Sequence, residues 1–174
     1  MKKAASLLAL FCIVACNLQE NTFTDTRDGK KYKTTKIGEQ VWMAENLNYK
    51  TPEGSWGFGS STYECNKCGR LYDYNTAMTA CPSEWHLPSR QEWRDLVKVV
   101  GSNAGTKLKA KICWGDVGHR ETTDNYGFSA LNCGNRLASG GFGGGYFGYW
   151  WTATGDDSGK AYYQAMSGSG EREL

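Results

Sequence analysis

The chain of 174 residues has little of what most site chemistry needs. It carries two histidines, His86 and His119, and neither stands in an H-E-x-x-H pair, which excludes a zincin-type centre. There is no G-x-S-x-G run and no Ser/His/Asp set that can be singled out, so the common hydrolase signatures are missing. Charge is nearly balanced, with 20 Lys and Arg against 18 Asp and Glu for a formal +2. No basic stripe with interleaved aromatics offsets that balance, which argues against nucleic acid as a partner. No D-x-D-x-D-G run occurs, so Asp124, Asp156 and Asp157 read as turn formers before calcium ligands. The longest apolar run, residues 4–15, is too short for a permanent membrane-spanning helix.

That run instead belongs to a targeting segment. Lys2 and Lys3 form a basic start, the apolar stretch follows, and a small residue precedes Cys16. Ile13-Val14-Ala15-Cys16 resembles the lipobox of bacterial lipoprotein signals, with cleavage before Cys16 and acylation of that cysteine. The bland alternative is an ordinary secretory signal with a chance cysteine. Each CH₂ of an acyl chain buried in a membrane contributes about 0.8 kcal/mol. Residues 1–15 are therefore read as signal, residues 16–26 as a polar tether, and residues 27–174 as one domain long enough to bury a core. The expected location is the bacterial cell envelope, lipid-anchored at the outer membrane or cell surface, with the membrane itself as a partner through the N-terminal lipid.

Aromatics make up 13% of the chain, with seven Trp, beside 22 Gly; that is the profile of a loop-rich exported domain with an aromatic core. Residues 32–37 and 41–47 read as a hairpin turning at Gly38-Glu39, its second strand covered on both faces. Residues 52–61 read as an irregular Gly/Ser loop. Residues 71–80 suggest a helix capped by Asp73 or Asn75. Ser89 and Glu92 form a capping box, and Trp93, Leu96, Val97 and Val100 give the following helix one apolar face, with Gly101 as its stop. Residues 107–114 are ambiguous, and residues 126–131 read as a strand. Residues 139–148 form a Gly/aromatic loop, followed by a final hairpin of residues 149–154 and 160–166 in which Trp151, Ala153, Tyr162 and Gln164 alternate. The expected class is α+β, with two short helices and antiparallel strands.

Six ordered blocks carry a family resemblance. They are Asp28-Gly29-Lys30-x-Tyr32-Lys33-Thr34, Ile37-Gly38-x-Gln40-x-Trp42-Met43-Ala44-Glu45-Asn46-Leu47-Asn48-Tyr49, Gly69-Arg70-Leu71-Tyr72, Cys81-Pro82-x-x-Trp85-His86-Leu87-Pro88-Ser89-x-x-Glu92-Trp93, Thr123-Asp124-x-Tyr126-Gly127-Phe128-Ser129-Ala130-Leu131 and Trp150-Trp151-Thr152-Ala153-Thr154. Together they resemble the Fibrobacter succinogenes major paralogous domain, a set of exported, often lipid-anchored proteins. The Leu-Pro-Ser-x-x-Glu-Trp block is also similar to formylglycine-generating-enzyme-like proteins, which implies a C-type-lectin-like architecture. Family members usually end in a further strand with a Val-Arg-Cys-type motif, and its apparent absence here is one departure from the pattern.

Of the seven cysteines, Cys12 leaves with the signal and Cys16 takes lipid. An exported domain favours disulfides. The expected bridges are Cys65 with Cys68 and Cys113 with Cys133, leaving Cys81 free because the resemblance puts its partner on the absent strand. A redox Cys65/Cys68 pair lacks a surrounding βαβ pattern, and a zinc site from Cys65, Cys68, Cys81 and His86 lacks the second ligand pair of zinc modules. No metal and no cofactor is expected. His86 reads as a packed core histidine. The catalytic cysteine pair of formylglycine-generating enzymes has no counterpart, so the reading leans away from an enzyme and names no catalytic residue. Tyr146 and Phe147, between Gly145 and Gly148, are the candidate ligand-binding residues, turned outward for a glycan or surface protein. The expected function is a binding or adhesion module; the alternatives are an enzyme of formylglycine-generating-like architecture and a structural envelope component.

Overall fold

The longest helix organises the chain. In the computed structural model, which describes residues 21–57, 68–114, 122–143, 146–156 and 159–168, α2 spans Arg90–Val100. Ser89 Oγ accepts from Glu92 N, and Ser89 N donates to Glu92 Oε2 at 2.7 Å, so the capping box satisfies two backbone donors that the first turn leaves open. Gly101 stops the helix at φ 74°, its N–H donating to Val97 O. Trp93, Leu96 and Val100 are buried, each removal from water stabilising by roughly 1.5–3 kcal/mol.

That face meets three strands, β2 at Lys31–Ile37, β8 at Phe147–Gly155 and β9 at Ala161–Ser167. The centre is aromatic: Trp93 lies 4.9 Å from Trp42, and Phe128 meets both edge-on at 5.7 and 5.9 Å. Ile37, Leu96, Leu108, Trp114 and Met166 close around them. Edge-to-face rings add about 0.5–1.5 kcal/mol per pair beyond their area. This is the aromatic core that the composition implied.

Among the described residues the strands form four small antiparallel sheets. β1 (Thr22–Thr24), β2 and β3 (Gln40–Met43) make the first. Its tight turn places Gly38 at φ 61°, the left-handed conformation that the first central position of a II′ hairpin requires. β4 (Ser55–Gly57) pairs with β5 (Arg70–Tyr72), β6 (Asn135–Arg136) with β7 (Phe142–Gly143), and β8 with β9. Helix α1 (Tyr74–Ala80) is capped by Asp73, and α3 (Ala104–Leu108) follows α2. The class is mixed α+β, as read from the pattern.

Several local readings are corrected. Among the described residues there is a third short helix, α3, because its buried Ala104 and Leu108 dock on the core although five residues are too few to display a period. Residues 71–72 are strand, paired with β4, and the helix begins only after the Asp73 cap. Part of the Gly/Ser stretch is therefore sheet. The second strand of the first hairpin is short and open on one side, with Val41 56% exposed and Trp42 buried. Residues 126–131 make a turn and a single bridge, Lys109 to Ala130, in place of a strand. Asp124 accepts from Ser129 N and Ser129 Oγ and so shapes that turn. Residues 169–174, where the last-strand question falls, lie outside the described residues.

The cysteines also differ from expectation. Cys68 is bonded to Cys133, with Cα atoms 5.5 Å apart, inside the window a bridge requires. Neither Cys65–Cys68 nor Cys113–Cys133 can then form. Arg70 N donates to Leu47 O and Asn46 Nδ2 to Cys68 O, and these bonds seat Cys68 in a small cluster with Ala110, Leu131 and Cys133. Cys113 is itself disulfide-bonded. Cys81 is free.

Candidate functional site

Register decides the surface of the last hairpin. Residues opposite one another in an antiparallel pair share a face, and β8 pairs Phe147 with Ser167, Tyr149 with Ala165 and Trp151 with Tyr163. Trp150 and Met166 lie on the other face and pack on the core. Phe147, Tyr149, Trp151 and Tyr163 therefore form one outer aromatic face. Their rings connect: Phe147 stacks on Tyr149 at 5.7 Å, Tyr149 meets Tyr163 at 5.6 Å, Tyr163 meets Trp151 at 6.4 Å, and Trp151 meets Tyr74 of α1 at 5.5 Å. Trp151 Nε1 donates to Tyr72 O at 2.8 Å and fixes the middle of the row.

Tyr149, Tyr163, Trp151 and Tyr74 line a cleft of about 850 Å³, near the top of the roughly 300–1,000 Å³ usual for ligand pockets. The core residues Trp42, Trp93 and Phe128 are also among its lining, as is Trp150, whose Nε1 donates to Asn46 Oδ1 at 3.1 Å. One wall is Trp56 on β4, over whose ring the Arg136 guanidinium sits at 4.1 Å. The loop of Cys81, Trp85, His86 and Pro88 also lines it. Gly148 makes this closure possible: a Cβ there would overlap the Trp150 ring and the Leu131 carbonyl oxygen, so only glycine allows β8 to approach.

Two groups in the cleft invite a chemical reading. His86 Nε2 lies 2.7 Å from Glu92 Oε1, with the histidine side chain 70% exposed; the expectation of a packed core histidine is overturned, because the capping box points the carboxylate outward and the ring follows it. Burial alone would raise the Glu92 carboxyl, but the Ser89 N–H, the His86 ring and the Ser89 hydroxyl outweigh it and hold it below its ordinary value. The Cys81 thiol is half-buried, and burial pushes it up. Cys68 cannot serve as a metal thiolate, being bridged, and among the described residues no cluster of three His, Cys, Asp or Glu is present.

Tyr146 is 58% exposed, and Phe147 is half-buried against Tyr149. Neither lines the cleft; they continue its aromatic row beyond one edge. Gly148 is buried and serves packing rather than outward freedom of its neighbours. Cys16, Cys65, His119, Gly145 and Asp157 lie outside the described residues, and no described helix is long and apolar enough to cross a membrane. Trp56, Tyr72, Tyr74, Trp85, Trp151 and Tyr163 were not singled out as site residues from the sequence. The signal available for one of them, Trp151, was the period-two alternation on β8.

Residues 35–174 match the Fibrobacter succinogenes major domain. The chain belongs to that family. The match begins within β2 and takes in every element that builds the cleft. No curated protein and no solved structure matches the chain.

Proposed function

We propose that this member of the family is an exported, lipid-anchored binding module of the bacterial cell envelope, with a C-type-lectin-like architecture, whose aromatic cleft holds a glycan. The observation that carries the reading is the row of Tyr149, Tyr163, Trp151 and Tyr74 within a cleft of about 850 Å³. Aromatic faces present apolar area with polar tips, which suits the alternately apolar and hydroxylated surfaces of pyranose rings. Phe147 and Tyr146 would extend the contact at the outer edge.

Anchoring follows from Lys2, Lys3 and the Ile13-Val14-Ala15-Cys16 sequence. Replacing Cys16 with Ser is expected to move the protein to a soluble fraction and abolish labelling by a palmitate analogue; a labelled, membrane-bound variant would refute the anchor. For the cleft, the signal-less domain is screened on a glycan array beside its Tyr163→Ala variant. Tyr163 is 50% exposed, so the variant should fold as the parent does while losing glycan signal. An array with no binder, together with envelope proteins cross-linked at the cleft, would replace the glycan by a protein partner.

A further inference from the structure

We propose that residues 22–27 form a clasp that positions the loop of residues 80–88, so that the arm leading into the domain also sets the shape of the cleft. The inference goes beyond the glycan reading and holds for any ligand of the cleft.

The loop joins α1 to α2 and gives the cleft Ala80, Cys81, Trp85, His86 and Pro88 among its lining. Its far end is fixed by the last hairpin, where Ala153 N donates to Pro88 O at 2.9 Å. Its near end and its middle are held from the arm. Arg27 Nη1 donates to Ala80 O at 2.9 Å and reaches Cys81 O at 3.5 Å, at the end of α1 where carbonyls lack partners within the helix. No basic residue stands in the last turn of α1, so Arg27 brings from 53 residues away the cation that favours a helix C-terminus. Phe23 of β1 meets the Trp85 ring at 5.2 Å.

Arg27 is held in place before it reaches the loop. Its Nε and Nη2 donate to the two carboxylate oxygens of Asp25 at 2.9 and 2.7 Å, and Asp25 is fully buried. The Asp25 backbone is fixed in turn: its N–H donates to Lys30 O and its carbonyl accepts from Gly29 N, both at 2.8 Å. The guanidinium lies 3.8 Å over the Tyr49 ring. A fork held on two oxygens and a ring leaves its remaining donor one direction to point. Within the loop, Glu84 stands at φ 68°, a left-handed conformation that a non-glycine residue keeps only where its surroundings impose it. The ties at Cys81 and Trp85, on either side of it, are such surroundings. The clasp lies upstream of the matched residues 35–174, in a stretch that reads largely as tether from the sequence.

The test is the rate at which iodoacetamide alkylates Cys81 in the native full chain in detergent, read by peptide mapping. Hydrogen exchange is followed over residues 80–88 and over α2 in the same samples. Arg27→Ala and Phe23→Ala should each speed alkylation about tenfold by freeing the loop, and should raise exchange in the loop while leaving α2 protected. Burial pushes the Cys81 thiol up and the Arg27 charge opposes it; losing that charge alone would slow alkylation, so a faster reaction reports access. Phe23→Tyr keeps the ring contact and should match the parent. Val100→Ala, at the far end of α2, lowers overall stability without touching the loop and should leave the rate within about twofold. Should Arg27→Ala fail to fold, Phe23→Ala decides, since Phe23 is only half-buried. Arm variants that react no faster than the parent, or a Val100→Ala variant that reacts as fast as they do, would overturn the proposal and leave the glycan reading in place.

Discussion

Removing the Cys68–Cys133 bridge is expected to be the most costly single covalent change in the described part of the domain. The two cysteines are 65 residues apart in sequence. In the chain-entropy account, closing a loop of that length restricts the unfolded chain enough to stabilise the fold by roughly 4 kcal/mol. Both cysteines are buried in a small cluster with Ala110 and Leu131, so a Cys68→Ala/Cys133→Ala variant leaves only a small void. For a domain of this size about 4 kcal/mol corresponds to a fall in Tm of roughly 8–16 °C. The assay is thermal and urea unfolding of the variant against the parent, with non-reducing peptide mapping of the parent after alkylation. The map should join Cys68 to Cys133 and find Cys81 alkylated. A variant melting within a degree or two of the parent, or a map joining Cys65 to Cys68, would refute the reasoning.

Three further outcomes follow from individual contacts. Gly148→Ala should lower stability by about 1–3 kcal/mol, since its methyl meets the Trp150 ring and the Leu131 carbonyl; an unchanged urea midpoint would show that β8 can shift away. Ser89→Ala removes the N-cap of α2 and should cost about 1 kcal/mol, read by the same unfolding curves. Hydrogen bonds from the Arg27 side chain, more than its backbone N–H, hold the Asp25 carboxyl below its ordinary value against the opposing effect of burial. With the folded value depressed, the stabilisation is complete above the ordinary carboxylate range and fades as pH falls through the folded value. Asp25→Asn should therefore lower Tm most at neutral pH and show a shallower acid decline than the parent; parallel Tm-against-pH curves would sink this assignment.

What could be read without the structure was local. The capping box, the Trp93, Leu96 and Val100 face and the Gly101 stop are written in consecutive residues, because helix caps and a 3.6-residue period act over one or two turns. The final hairpin was legible for the same reason: its alternation and turn residues are contiguous. The Gly38 turn likewise needs only its own backbone conformation. The family blocks were legible as ordered short strings; five of the six lie within the matched residues 35–174 and on segments that line the cleft, while residues 28–34 lie outside both.

Tertiary structure alone decided the pairing of Cys68 with Cys133, since disulfide geometry depends on which segments meet and not on spacing. It decided that residues 126–131 are a turn, held by Asp124 and Ser129, although their apolar content suggested a strand. It also turned His86 outward to Glu92. Above all it assembled the cleft: Tyr74 comes from α1, Tyr149 and Trp151 from β8, Tyr163 from β9 and Trp56 from β4. Nothing in a single segment announces that five rings from four elements share a surface. The sequence by itself determined that aromatic residues would dominate this domain and which local elements would carry many of them. Which rings became core and which became cleft was set by strand register and by the glycine at 148, because one methyl group there would force β8 away from the Trp150 ring and the Leu131 carbonyl.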